Sequence, residues 1–185
     1  MVFTIHHLLA TIVCIFSAVG ALAASSPAMS VEISKRLTIQ PRAPQAATWL
    51  NEHNRVRAAH GAQPLTWSPS LAMRAAAWAH RCKFVPTDGV LSSTLYGENI
   101  AAGTGRFPIS SAVNMFTQDA GQYNPTHPSY THWTQVVWKS TTQLGCATAR
   151  CNGIFDPALG EATLHVCLYN PPGNVVGDAL HNVEV

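Results

Sequence analysis

Apolar residues recur at spacings of three and four from about Gln45, at Ala46, Trp49 or Leu50, His53 and Val56, and Gly61 then offers a C-terminal stop. This spacing predicts an amphipathic helix with His53 on its core-facing stripe. Ser68 as N-cap and Pro69 at the first helical position announce a second helix, with Leu71, Ala75, Trp78 and Cys82 along one stripe. A third begins after Pro108 with Ser110 or Ser111 as its cap and turns Val113 and Phe116 inward. Asp119, three residues beyond Phe116 and four beyond Met115, leans toward the same side. The period then changes. Over 132–138 β-branched and aromatic residues alternate, which predicts a central strand with His132, Thr134, Val136 and Trp138 on one face. Residues 143–148 and 163–169 read as two more strands, joined by a loop holding Asp156, Pro157 and Gly160. Helices first and a meander afterwards describe an α+β fold, an antiparallel sheet covered by helices.

The first residues carry a different signal. An apolar run over 8–22 ends in Ala21-Leu22-Ala23, a small-x-small pattern that predicts a signal peptide over 1–23 and a mature start at Ala24. The run is shorter than the roughly 20 residues a spanning helix needs, so no membrane span is expected. Its flank holds His6 and His7 but no Lys or Arg. Residues 24–44, rich in Ser and Pro, predict a flexible leader with one basic pair, Lys35-Arg36, that reads as a dibasic processing site or as plain solvated charge. The domain proper is expected over 45–185. A chain of 185 residues has room for that one domain and no second.

Charge narrows the partners. Charged residues make up 11% of the chain, against roughly 25% in ordinary soluble domains, and a net charge of +2 without basic runs excludes nucleic acid and anionic membrane as electrostatic targets. Signal cleavage removes Cys14 and leaves Cys82, Cys146, Cys151 and Cys167, an even number in an oxidising compartment. Two disulfides and a secreted, extracellular protein follow. Four cysteines allow three pairings, and spacing alone does not choose. No C-x2-C pair supports a zinc ribbon.

Two segments are more specific. His132-Trp133-Thr134-Gln135-Val136-Val137-Trp138-Lys139-Ser140 resembles the first signature of the CAP superfamily, which includes cysteine-rich secretory proteins, venom allergens and plant pathogenesis-related proteins. Leu164-His165-Val166-Cys167-Leu168-Tyr169-Asn170-Pro171-Pro172-Gly173-Asn174 resembles the second. Asn51-Glu52-His53-Asn54-Arg55-Val56-Arg57, Gly97-Glu98-Asn99 and Gly145-Cys146 support the match in the right order. The chain departs from the pattern at Thr131, where a small or charged residue is usual, at Leu168, and at Asp119, which stands for a glutamate. The plant-style Pro-Tyr motif is absent at Leu180-His181.

The resemblance implies an α-β-α sandwich with a central, mainly antiparallel sheet, and bridges Cys82 to Cys151 and Cys146 to Cys167. It also implies a tetrad of His53, Glu98, Asp119 and His132, a donor set suited to Zn²⁺ or another divalent ion with positions open to water. On the residues alone, His53 and His132 read equally as hydrogen-bonded core histidines, and Glu98 as a brace for its loop. Three functions compete. The resemblance favours binding of a small hydrophobic ligand, a sterol or fatty acid, and the aromatic, Pro-stiffened stretch with Tyr123, Tyr130 and Trp133 is the local candidate for contact. A module acting on a host or cell-wall protein is the alternative. A metal-dependent hydrolase is the least supported, since neither H-E-x-x-H nor G-x-S-x-G occurs.

Overall fold

The computed structural model describes residues 43–185, so the expected signal peptide and nearly all of the expected leader lie outside the described residues. Helix α1 spans Ala43–Ala59 and therefore takes in Pro44, which the sequence pattern assigns to the leader. A short strand β1, Thr66–Trp67, leads into α2, Pro69–Ala79. Ser68 caps α2 by accepting the Leu71 amide at 3.4 Å. Strand β2, Gly97–Thr104, and helix α3, Ile109–Thr117, follow. Then come α4, His132–Val137, the long strands β3, Gln143–Cys151, and β4, Ala162–Asn170, and a last turn of helix α5, Ala179–Asn182.

Segment 132–138 is a helix, not the predicted strand. Thr131 is its N-cap: its hydroxyl accepts the Thr134 amide at 3.4 Å, and the Thr134 hydroxyl accepts the Thr131 amide at 2.7 Å. This reciprocal capping box starts the helix. Trp133 through Val137 are then buried on every side, so neither alternation nor helical period could show. Two further expectations shift. Pro108, with no side-chain bond, is the residue that caps α3, and α3 ends at Thr117, which leaves Asp119 outside it at the start of a 3-10 turn, Ala120–Gln122. Segment 97–104 is a strand that small residues conceal.

The sheet runs β1-β3-β4-β2, antiparallel except for the two-residue parallel pairing of β1 with β3. Central β4 is buried along almost its whole length. Leu164, Val166 and Leu168 face α2, together with Ala102, Ala147 and Ala149. Cys167 and Tyr169 face the opposite layer, where Trp49 of α1, Phe116 of α3 and Trp133 of α4 meet. The result is the three-layer α-β-α sandwich. Gly145 makes the α2 layer possible, since a Cβ there would collide with the backbone of Ala72 and with Leu71. Cys146 and Cys167 are opposed residues of β3 and β4 and are bridged to each other, while Cys82 is bridged to Cys151. The second bridge spans 69 residues, a loop whose closure stabilises by ~4 kcal/mol in the chain-entropy account.

Beneath this frame lies a fully buried arginine. Arg57 of α1 donates from Nε to the Gln63 carbonyl at 2.8 Å, from Nη1 to Val136 and Trp138 at 2.8 and 2.9 Å, and from Nη2 to Thr141 at 2.9 Å. Lysine cannot reproduce that fork, and each carbonyl it abandons stays buried. Arg57→Lys should therefore cost about 3 kcal/mol or more, read as a lower urea midpoint. An unchanged midpoint would show that the fork is dispensable.

Candidate functional site

Glu98 on β2, Asp119 just past α3 and His132 at the first position of α4 line one cleft of about 390 Å³, with Asn99, Tyr130 and Asn174 completing its wall. The capping box aims α4 and so places His132. Asn174 fixes the opposite rim, because its oxygen accepts the Thr134 hydroxyl at 2.7 Å and its amide donates to the Thr131 carbonyl at 2.9 Å. Thus the two signature segments meet at the cleft.

His53, the fourth expected member, is elsewhere. It is wholly buried in the core, as its apolar stripe requires. Its Nδ1 lies 2.9 Å from the Trp49 carbonyl, which can only accept, so Nδ1 carries the proton and Nε2 accepts from the Tyr169 hydroxyl at 2.8 Å. Asn99 donates in turn to the Tyr169 oxygen at 3.1 Å and to the His132 carbonyl at 3.0 Å. The Phe116 ring packs against both imidazoles, 6.1 Å from His132 and 6.4 Å from His53. Burial is the main force that holds His53 neutral, with its pKa lowered to about 4, and burial also pushes the Tyr169 phenol upward.

Both oxygens of Glu98 face Thr87. The Thr87 amide lies 3.2 and 3.1 Å from them, and its hydroxyl donates to Oε2. Burial raises the Glu98 pKa, and the bonds from Thr87 pull the other way. Asp119 Oδ1 is buried and has no hydrogen-bond partner among the described residues. This set does not fit a four-ligand metal site. Both His53 nitrogens are engaged away from the cleft, and among the described residues no three His, Cys, Asp or Glu side chains are grouped to hold an ion.

The aromatic segment is also mostly internal. Trp133 is 1% exposed and Tyr123 8%, with their rings 5.3 Å apart, so both are core residues and not an open ligand surface. Tyr130 alone of the three reaches the surface, where its hydroxyl accepts the Gly177 amide at 2.8 Å. A wider cleft of about 620 Å³ lies elsewhere, between α1 and the start of α3, lined by Phe107, Pro108 and Ile109, by Arg106 and Arg150, and by His165. His165 donates from Nε2 to the Phe107 carbonyl and accepts the Thr148 hydroxyl on Nδ1, each at 2.8 Å. Sequence reasoning missed Thr87 and Arg57. Thr87 had no signal, but Arg57 lies four residues after His53 on the same buried face, where a cation is conspicuous.

With this geometry in place, comparison with known proteins gives a family. The chain belongs to the CAP family, described as the cysteine-rich secretory protein family, whose sequence model matches residues 50–169. Fruiting body protein SC14 of Schizophyllum commune is 40% identical over 139 residues, covering 69% of this chain and 62% of that protein. Pathogenesis-related protein 1 of Arabidopsis thaliana is 34% identical over 138 residues, covering 70% of this chain and 78% of that protein. The chain spans less than two thirds of its fungal relatives, 64% of fruiting body protein SC7 and 46% of a probable pathogenesis-related protein of Arthroderma benhamiae. Among solved structures, venom allergen-like protein 4 of Schistosoma mansoni matches with a TM-score of 0.55 at 25% identity, over 70% of this chain and 89% of that one. Hookworm Platelet Inhibitor matches at 0.58 over 74% of each chain, and at 19% identity that likeness shows the fold alone.

Folded His53 resists protonation down to about pH 4, whereas the unfolded imidazole takes a proton near 6.5. Between those values the unfolded chain binds more protons, so stability is full above about pH 6.5 and falls as pH drops toward 4, by on the order of 3 kcal/mol. Burial lowers His165 as well, which adds a slope of the same sign. His53→Gln should remove most of the dependence in denaturant melts run across this window. A slope that survives intact would assign it to another group.

Proposed function

We propose that the protein is a secreted binding module that holds a small hydrophobic ligand without turning it over, and that the ligand is fatty-acid-like. The cleft between α1 and α3 carries this reading. At about 620 Å³ it falls within the range of small-molecule sites, with Phe107, Pro108 and Ile109 offering apolar contact. Arg150 in its wall is bound to Glu161 and to the Gly105 carbonyl. Arg106 makes no ion pair among the described residues and is exposed, so it can meet a carboxylate head. A sterol, with a single hydroxyl, brings no charge opposite to Arg106. Family membership and four paired cysteines support an extracellular setting. No helix among the described residues is long and apolar enough to cross a membrane.

The narrower cleft supports binding over hydrolysis. Its neighbouring hydroxyls are engaged, Thr87 with Glu98 and Thr134 with Asn174, and all four cysteines of the domain are in disulfides. A protein partner is the second reading, favoured by Val90 and Leu95, which stand 68% and 82% exposed on the segment before β2.

A fluorescent fatty-acid probe tests the first reading. Ile109→Asp should weaken binding by roughly tenfold or more, the equivalent of one lost apolar side chain. Arg106→Glu should weaken the acid while sparing the matching fatty alcohol, and the pair Tyr123→Phe with Tyr130→Phe should change neither. Absence of saturable binding by the disulfide-intact protein at micromolar probe would pass the case to the protein partner.

A further inference from the structure

Segment 80–96, between α2 and β2, contains neither helix nor strand, and it leaves Phe84 and Val85 about half exposed. It is nonetheless tied down at three places. Cys82 is bridged to Cys151, the Trp78 indole donates to the Val85 carbonyl at 3.0 Å, and Thr87 donates to Glu98. The third tie continues outward. Since the one hydroxyl proton of Thr87 goes to Glu98, the Tyr96 hydroxyl, 2.6 Å away, donates to Thr87, and the Leu91 amide donates to Tyr96 at 3.2 Å. A relay thus runs from Leu91 through Tyr96 and Thr87 to the carboxylate. It leaves Thr87 only 1% exposed, although the residues flanking it are open to solvent.

We infer that Glu98 is the anchor of segment 80–96 in this chain and not a metal ligand, so that the cleft it lines takes up no Zn²⁺. A ligating carboxylate commonly keeps one oxygen hydrogen-bonded and turns the other to the ion. Here both oxygens face one residue, Thr87, whose amide and hydroxyl approach together. His132 and Asp119 remain in the cleft, but two donors do not close a zinc site, and the imidazole that would make a third is buried against Trp49 and Tyr169. The charge of Glu98 acts instead through strong hydrogen bonds to a loop that lacks a ladder of its own.

Two measurements on the disulfide-intact chain decide the matter. Titration calorimetry with Zn²⁺ alone should give no saturable one-to-one isotherm in the micromolar range; an isotherm abolished by His132→Ala would overturn the inference. Hydrogen exchange at the Leu91 and Thr87 amides should accelerate by about tenfold or more in Glu98→Gln, while the β3–β4 ladder keeps its protection. Should Glu98→Gln not fold, Thr87→Val keeps the volume, breaks the relay at its hydroxyl and should release Leu91 alike. Unchanged exchange at Leu91 in the folded variants would equally overturn the anchor. Neither readout involves the fatty-acid cleft, so this inference stands or falls apart from that one.

Discussion

Arg57 reaches from α1 to the far end of α4, and the four carbonyls it satisfies belong to segments that no regular ladder joins: Gln63 after α1, Val136 and Trp138 at the close of α4, and Thr141 before β3. A six-residue helix leaves most of its carbonyls without intrahelical partners, and here they end in the core, where water cannot reach them. A carboxylate would neutralise the arginine but could not serve those carbonyls, and the guanidinium accepts no such partner in this core. Its positive charge also meets the negative end of α4. Because α4 is rigidly held at its last turn, the position of its first residue, His132, follows. The helix that bounds the cleft is therefore held at both ends, by its capping box beside His132 and by Arg57 at its close.

Gln135 performs the matching task on the sheet side. Its side-chain oxygen accepts the Gly173 amide at 2.8 Å and its nitrogen donates to the Thr141 hydroxyl at 3.3 Å. A Cβ at either Gly97 or Gly173 would collide with this amide, so glycine at both places lets β2 and the segment after β4 close around it. Gly97, Gly173, Gln135 and Arg57 are thus explained by buried polar satisfaction.

The sequence was legible where one local rule dominated. Ser68 and Pro69 marked the start of α2 because capping chemistry is local, and β3 and β4 stood out by their apolar runs. It was misleading over 132–138, where β-branched residues buried on all sides carry no period and the deciding signal was the pair Thr131 and Thr134. It was silent over Gly97–Thr104, since Ala and Gly fit an edge strand under a tight layer without advertising it. For the site, the helical stripe correctly put His53 in the core, and family analogy put it in the tetrad. The two expectations conflict, and the geometry sides with the stripe. Thr87 could not have been found, because its meeting with Glu98 depends on the path of an irregular segment held by a disulfide.

That conflict also shows what the cleft can do. Proton donation runs one way, from Asn99 to Tyr169 to His53 to the Trp49 carbonyl, and every member of the chain has its donors assigned. The reversed tautomer, with its proton on Nε2, would set the bare Nδ1 against the Trp49 carbonyl oxygen, so the donors stay in this order. Glu98 is committed to Thr87 on the other side. What remains for an incoming molecule is Asp119, with a buried oxygen lacking a partner, beside His132 and the Tyr130 hydroxyl. Three such groups can orient a small polar moiety by hydrogen bonds. The Thr134 and Thr87 hydroxyls nearby already serve the Asn174 rim and the anchor of segment 80–96. The cleft holding Asp119 and His132 and the wider one between α1 and α3 share no lining residue, and α1, α3 and α4 pack against one another between them.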